Sequence, residues 1–80
     1  MEVLTMKHPT EKELTALREK YPTRTIVKLI SMNDVQSPPV GTIGEVTLID
    51  DMGSVHVNWH NGSTLALIPD VDSWEILKKP

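Results

Sequence analysis

Three consecutive segments of the chain alternate hydrophobic and polar residues with the period of two that is typical of β-strands. They span residues 45–48, 54–59 and 64–67, and each places its apolar side chains on one face. Two glycine-containing turn sequences, at residues 50–53 and 60–63, separate them. Glycine supplies the positive φ that tight hairpin turns need, and Asn-Gly is a strong hairpin signal. The pattern therefore predicts an antiparallel meander of three strands.

Two further segments complete the predicted sheet. Residues 25–30 are apolar and rich in β-branched side chains, and residues 73–77 alternate once more. Gly41 and Gly44 predict a sharp bend or bulge at the start of the second strand. Because a lone hairpin is marginal in water, the strands must close on one another. We therefore predict a mostly β fold with one N-terminal helix, in which five short strands form a small SH3-like antiparallel barrel over residues 25–77.

The N-terminal helix is predicted over residues 10–21. Thr10 and Glu13 have the spacing of a capping box, in which each side chain accepts a hydrogen bond from the other residue's backbone N–H. Pro22 ends the helix, since proline disfavours helical conformation in the residue before it. Three apolar residues recur on one helical face and predict a narrow stripe that packs on the sheet: Leu14, Leu17 and Tyr21.

Length and composition limit the class of protein. Eighty residues make one domain, predicted over residues 10–77, with a flexible arm at 1–9 and a frayed end at 78–80. The chain has no cysteine, which excludes disulfides and thiolate metal sites and fits a cytoplasmic protein. No apolar run approaches the roughly 20 residues that span a membrane, so we expect neither a membrane span nor a signal peptide. The net charge of −3 disfavours a strong non-specific hold on phosphate backbones.

The long loop at residues 31–40 is the predicted protein-binding site. It is polar, contains prolines, lacks periodicity and is long for a connection in a compact domain. Loops of this length often carry function, and the two consecutive prolines stiffen its far end. The simpler alternative is a surface connection that only bridges two strands. The predicted contact residues are Met32, Asn33, Asp34, Pro38 and Pro39.

A group of cations supports a second prediction, a nucleic-acid-binding patch. Lysine and arginine neutralise backbone phosphates, and four such residues occur from the end of the predicted helix to the first predicted strand. Ordinary solvated charge, interleaved with acidic residues, is the competing interpretation. No aromatic residues are interleaved with these cations for stacking on bases. The four residues of the predicted patch are Arg18, Lys20, Arg24 and Lys28.

Residues typical of catalysis or metal binding do not combine into a site. His56 and His60 share a strand face, but about 13 Å of strand rise separates them, too far to hold one ion unless the strand bends sharply. The aspartates occur in turn sequences, where Asp commonly bonds the nearby backbone. No nucleophile–base arrangement accompanies them. We therefore predict that the chain is not an enzyme and uses no metal or cofactor.

Trp59 and Trp74 are the two largest side chains of the chain. In the alternating pattern of their strands, both tryptophans fall on the same face as the apolar residues, which predicts core positions for them. The alternative is that exposed aromatic rings form a groove for an extended peptide, as in other small barrels.

An ordered string of motifs resembles one protein family. It comprises Gly41-Thr42-x-Gly44-x-Val46, Asp50-Asp51-x-Gly53-Ser54, Val57-x-Trp59-x-Asn61-Gly62-Ser63-x-Leu65-x-Leu67-Ile68-Pro69 and Asp72, with Tyr21-Pro22 and Pro38-Pro39 upstream. The string resembles the bacterial family catalogued as domain of unknown function 4314 over about residues 10–77. The resemblance implies a small standalone protein of bacteria or their mobile elements. It implies no established activity, so no functional residue is carried over from it.

These observations together predict a non-catalytic binding module that docks on a protein partner through the loop at 31–40. A nucleic-acid-binding accessory protein that uses the patch between Arg18 and Lys28 is the alternative. We expect no small-molecule substrate. The protein is expected to be either a monomer or a dimer paired through an exposed edge strand.

Overall fold

The computed structural model describes residues 9–80. The predicted arm at 1–9 lies outside the described residues except for Pro9, and the last strand includes Lys78 of the predicted frayed end. One helix precedes four strands: α1 (Glu11–Lys20), β1 (Ile26–Ser31), β2 (Ile43–Ile49), β3 (Val55–Trp59) and β4 (Ser73–Lys78).

α1 is closed at both ends as its sequence predicts. The Thr10 hydroxyl accepts a hydrogen bond from the Glu13 N–H at 3.1 Å, and the Glu13 carboxylate accepts one from the Thr10 N–H at 2.8 Å, which confirms the capping box. At the other end the Tyr21 N–H donates to the carbonyl of Leu17 at 2.9 Å. Leu14 is buried, and Leu17 and Tyr21 pack against the core, so the predicted stripe faces the sheet.

The four strands form one antiparallel sheet in the order β3-β2-β1-β4. β2 and β3 form the hairpin that the alternation predicts, with Gly44 opposite Trp59. β1 lies between β2 and β4, in a register that sets Leu29 opposite Trp74. Register shifts interrupt both outer pairings, and such irregularities increase the bend of a sheet.

The prediction of five strands in a closed barrel is not confirmed. Within residues 9–80 the sheet has four strands and stays open, because the segment at 64–68 makes only one bridge, between Leu67 and Val55. The alternation in this segment predicted a full strand. The carbonyl of Leu65 instead accepts a hydrogen bond from the Trp59 indole at 2.9 Å. That side-chain contact replaces a ladder bond, so the pairing does not extend along β3.

The turn at residues 60–63 also differs from the predicted hairpin turn. Gly62 has a φ of +93°, but Asn61 does not have a positive φ, and a type I′ turn needs both. The Gly62 N–H donates to the carbonyl of Trp59 at 2.9 Å. The chain therefore reverses direction here without starting a second ladder beside β3.

The core lies between the sheet and α1. Trp59 is 3% exposed, which confirms its predicted core position. The other buried apolar residues come from three strands, the helix and the segment after β3: Val27, Leu29, Val46, Ile49, Val55, Val57, Leu14 and Leu67.

Gly44 is buried inside this core and has no room for a side chain. A Cβ atom there would lie 2.7 Å from Cε3 of Trp59 and would also overlap Cγ1 of Val57. The sequence predicted a bend or bulge at this position. The register shift in β2 instead lies between Val46 and Leu48, so Gly44 is a close-packing position.

Candidate functional site

A loop and a groove adjoin each other and form the candidate site, which we call the docking face. The loop is the connection at residues 32–42 between β1 and β2. The groove, which we call the aromatic groove, is open and has a volume of about 370 Å³. It runs between the end of α1 and the turn that precedes β4, and its main lining residues are Leu17, Lys20, Tyr21, Pro69, Asp70 and Trp74.

Tyr21 and Trp74 form the apolar wall of the aromatic groove. The end of α1 positions Tyr21, and the pairing of β4 with β1 positions Trp74. Their ring centroids are 5.5 Å apart and their planes are tilted by 53°, a favourable geometry for an aromatic pair. Both side chains are half-buried, packing against the core on one side and lining the groove on the other. Trp74 is therefore a partly buried residue that packs against the core and also borders the groove.

The indole N–H of Trp74 is buried and has no hydrogen-bond partner within residues 9–80. An unpaired buried donor of this kind costs about 1–3 kcal/mol. Because this nitrogen is buried, the groove borders the Trp74 ring but does not expose its N–H.

The rim of the groove carries charges of both signs. The Nζ atom of Lys20 lies 5.4 Å from the centroid of the Tyr21 ring, within reach of a cation–π contact. Asp70 is exposed, has a φ of +72° and has no ion-pair partner within residues 9–80. The rim therefore presents a cation at one point and, at another, a carboxylate without an ion-pair partner within residues 9–80.

Asp72 joins the loop to the groove. Its side chain is almost buried, at 8% exposure for the residue. One carboxylate oxygen accepts a hydrogen bond from the Asn33 N–H at 3.0 Å, and the other accepts one from the Ile68 N–H at 2.8 Å. Since the two donors belong to the loop and to the turn beside the groove, this carboxylate fixes the relative position of both parts of the docking face.

The five predicted loop residues occupy different environments. Met32 packs against the core and Pro38 is buried, so these two support the loop from beneath. Asn33, Asp34 and Pro39 are exposed and face solvent. Only the exposed three can therefore meet a partner without rearrangement of the loop.

Two valines that the sequence analysis did not single out are the most exposed apolar side chains of the loop. Val35 is 101% exposed and Val40 is 74% exposed. The Asp34 carboxylate accepts a hydrogen bond from the Gln36 N–H at 2.7 Å and so fixes the turn that presents Val35. Neither valine lies in a periodic segment, so the only available signal was an apolar residue within a polar loop.

The four cations of the predicted nucleic-acid patch do not form one uninterrupted basic surface. Three have a carboxylate nearby: Arg18 (Asp51, 3.3 Å), Arg24 (Glu45, 3.9 Å) and Lys28 (Glu75, 3.8 Å). The fourth, Lys20, lies against the aromatic groove. These exposed pairs are worth little in stability, but they lower the local positive potential that a phosphate backbone would meet.

The turn between β2 and β3 contains a carboxylate–imidazole pair. One oxygen of Asp50 lies 2.8 Å from Nε2 of His56, and the other accepts hydrogen bonds from the N–H groups of Met52 and Ser54, each at 3.0 Å. Burial by itself raises the pKa of Asp50. The hydrogen bonds from the three neighbours outweigh burial and hold the pKa of this carboxyl below its ordinary value of 3.8.

Asp50→Asn is expected to lower stability at pH 6 by about 0.5 kcal/mol, a small value because the carboxylate is partly exposed. A carboxylate with a lowered folded-state pKa stabilises the fold above its unfolded-state pKa, and this contribution is lost as the pH falls through the folded-state value. The gap between wild type and variant should therefore shrink below pH 3.8. Urea unfolding from pH 6 to pH 3 measures it. Asp51→Asn, whose side chain is 97% exposed, is the control, and a gap independent of pH would contradict the assignment.

Two features are absent from the part of the chain that the structure describes. Residues 9–80 contain no group of three or more histidine and carboxylate side chains arranged to hold a metal ion. They also contain no helix that could cross a membrane.

The described residues define a small domain in which one capped helix packs on an open antiparallel sheet, with an aromatic groove beside a long loop. Residues 10–77 match the family described as Domain of unknown function (DUF4314), and the chain belongs to that family. No curated protein and no solved structure gives a significant match to the chain.

Proposed function

We propose that this protein is a non-catalytic binding module that docks on a protein partner through the docking face. The observation that carries the proposal is the pair of exposed valines, Val35 and Val40, on a loop that Asp72 ties to the aromatic groove. Exposed apolar side chains next to a concave aromatic surface are typical of protein interaction sites.

The shape and chemistry of the groove favour an extended segment of the partner. An open groove of about 370 Å³ with a tilted Tyr21–Trp74 pair gives flat apolar surface, which extended and polyproline-type segments use. Loop and groove together would contact two parts of one partner.

The fold class, the cellular location and the oligomeric state belong to the same proposal. The bent antiparallel sheet and its N-terminal helix support the SH3-like class that the strand pattern predicts. A chain without cysteine fits a bacterial cytoplasmic protein, encoded by a chromosome or a mobile element. The protein is proposed to act as a monomer or as a dimer paired through an edge strand.

A capture experiment with surface variants tests the docking face. Tagged wild-type protein and the variant Val35→Asp with Val40→Asp are compared in bacterial lysate by quantitative mass spectrometry. Both valines are exposed, so the double variant keeps the fold, and its loss of binding reports on the surface alone. We expect at least one protein to be enriched by wild type and reduced about tenfold or more by the variant, since it would place two unpaired carboxylates in an apolar contact.

Leu48→Asp is the matched control, because Leu48 is 53% exposed but lies in β2, outside the docking face. Partners that bind Leu48→Asp as well as they bind wild type, and that still bind after nuclease treatment, support the proposal. Partners that bind the valine variant as well as wild type would contradict it. Loss of all partners on nuclease treatment would favour nucleic-acid binding instead.

A further inference from the structure

Arg24 has a backbone conformation that an arginine rarely adopts. Its φ is +81°, in the left-handed region. Glycine adopts this conformation without penalty, and Asn and Asp adopt it more readily than other residues, but arginine has no such preference. Strained positions of this kind persist where the surrounding structure enforces them, and they cluster at functional sites.

The fold holds this turn through groups other than the Arg24 side chain. The Arg24 N–H donates to the carbonyl of Val46 at 2.7 Å. Thr25, which is fully buried, donates its hydroxyl to the carbonyl of Pro22 at 2.6 Å. The Arg24 side chain is 77% exposed and has only a long contact, 3.9 Å, with Glu45. The conformation would therefore survive with glycine at this position, and the side chain contributes little to the fold.

The Arg24 side chain lines a second groove, which we call the basic groove. It is open, has a volume of about 370 Å³ and shares no lining residue with the aromatic groove. Lys78 and Lys79 contribute two more cations, and Glu45 contributes the one acidic side chain of the lining. Ile26, which lies opposite Lys78 in the sheet, gives the groove an apolar surface together with Pro80. In a chain of net charge −3 this is a local concentration of positive charge.

We propose that the basic groove binds an acidic segment of a protein partner. The carboxylates of the segment would pair with Arg24, Lys78 and Lys79, and an apolar side chain would pack on Ile26. A protein segment fits better than nucleic acid, because no aromatic ring lines the groove for base stacking and Glu45 would repel a continuous row of phosphates. This contact would give the Arg24 side chain a role that the fold itself does not require. The basic groove is separate from the docking face, so an experiment can contradict one of the two proposals and leave the other unaffected.

Titration of the ¹⁵N-labelled full chain tests the proposal by NMR. The probe is a synthetic octapeptide, Asp-Glu-Leu-Asp-Glu-Leu-Asp-Glu, and its neutral match replaces Asp with Asn and Glu with Gln. We expect amide shifts at Arg24, Ile26 and Lys78 with the acidic peptide only, weakened by added salt. No shifts at these amides, or equal shifts with the neutral peptide, would overturn the proposal. Tighter binding of an octamer of deoxythymidine would also overturn it, in favour of nucleic acid.

Arg24→Gly separates binding from folding. Relief of the positive φ should raise the melting temperature by roughly 2–6 °C, while loss of the cation should weaken binding of the acidic peptide about fivefold. Lys12→Ala, at an exposed helix position, should change neither property. A melting temperature that stays the same or falls would show that the Arg24 side chain supports the fold. That result would contradict the premise that this side chain contributes little to stability. Unchanged affinity would show that the arginine does not contact the segment.

Discussion

Gly44→Ala is expected to lower the free energy of unfolding by about 3 kcal/mol, close to the whole stability of a domain of this size. The φ of Gly44 is not in the left-handed region, so the cost is steric. The new methyl group would overlap the side chains of Val57 and Trp59, which lie on the paired strand and cannot swing into solvent. Overpacking of a close-packed core forces off-rotamer side chains or backbone shifts. Urea unfolding monitored by tryptophan fluorescence measures the change.

Gly62→Ala is the matched control for this prediction. Gly62 has a φ of +93°, and a Cβ atom there would have no neighbour within 4 Å, so its cost is conformational and about 1–2 kcal/mol. The double variant Gly44→Ala with Val57→Ala should lose less stability than the sum of the two single losses. The reason is that Val57→Ala removes one of the two side chains that the new methyl group overlaps. Equal costs for the two glycine variants, or simple additivity with Val57→Ala, would mean that the sheet shifts to accommodate the methyl group.

Asp72→Ala is expected to cost about 2–4 kcal/mol and to loosen the docking face. The change leaves the N–H groups of Asn33 and Ile68 without their acceptor in a mostly buried position, and each such loss costs about 1–3 kcal/mol. Because the two donors belong to different segments, the loop and the turn beside the groove should separate. Native-state hydrogen exchange should show faster exchange at both amides, and capture of docking-face partners should fall.

Asp34→Ala provides the comparison within the same loop. The Asp34 carboxylate accepts one hydrogen bond, from the Gln36 N–H within the loop, so its loss should cost about 1 kcal/mol and speed exchange near Gln36 alone. The stability of Asp72→Asn, which keeps one good hydrogen-bond acceptor, should lie between those of wild type and Asp72→Ala. If exchange at Ile68 is unchanged in Asp72→Ala, the carboxylate does not hold the two segments together.

Local signals in the sequence predicted the elements well. The capping box of Thr10 and Glu13 and the alternation in β2 and β3 depend on near neighbours, and both are confirmed. The prediction of a full strand at 64–68 failed because alternation does not show which backbone groups of a segment pair with the neighbouring strand. There the indole N–H of Trp59 donates a hydrogen bond to the carbonyl of Leu65. A contact of this kind, between a side chain and the backbone, cannot be predicted from periodicity.

The candidate site was harder to predict, because it combines residues far apart in the chain. The loop was recognised from its length, but the tie from Asp72 to Asn33 needs the fold to bring residues 33 and 72 together. Tyr21 was predicted on the apolar stripe of the helix and Trp74 on the inward face of its strand, yet neither pattern can tell a fully covered ring from one that borders a groove. The strain at Arg24 is a backbone property that arises only when the turn is pinned to β2.

The strand order has a consequence for how the chain folds as it is synthesised. β1 is an interior strand, but one of its two neighbours, β4, comes from almost the other end of the chain, with Ile26 opposite Lys78. The β2–β3 hairpin can form from near neighbours, whereas β1 keeps an unpaired edge beside Val27 and Leu29 until β4 leaves the ribosome. A nascent or prematurely terminated chain that lacks β4 would present an open edge next to core residues, a template for aggregation that the finished protein covers.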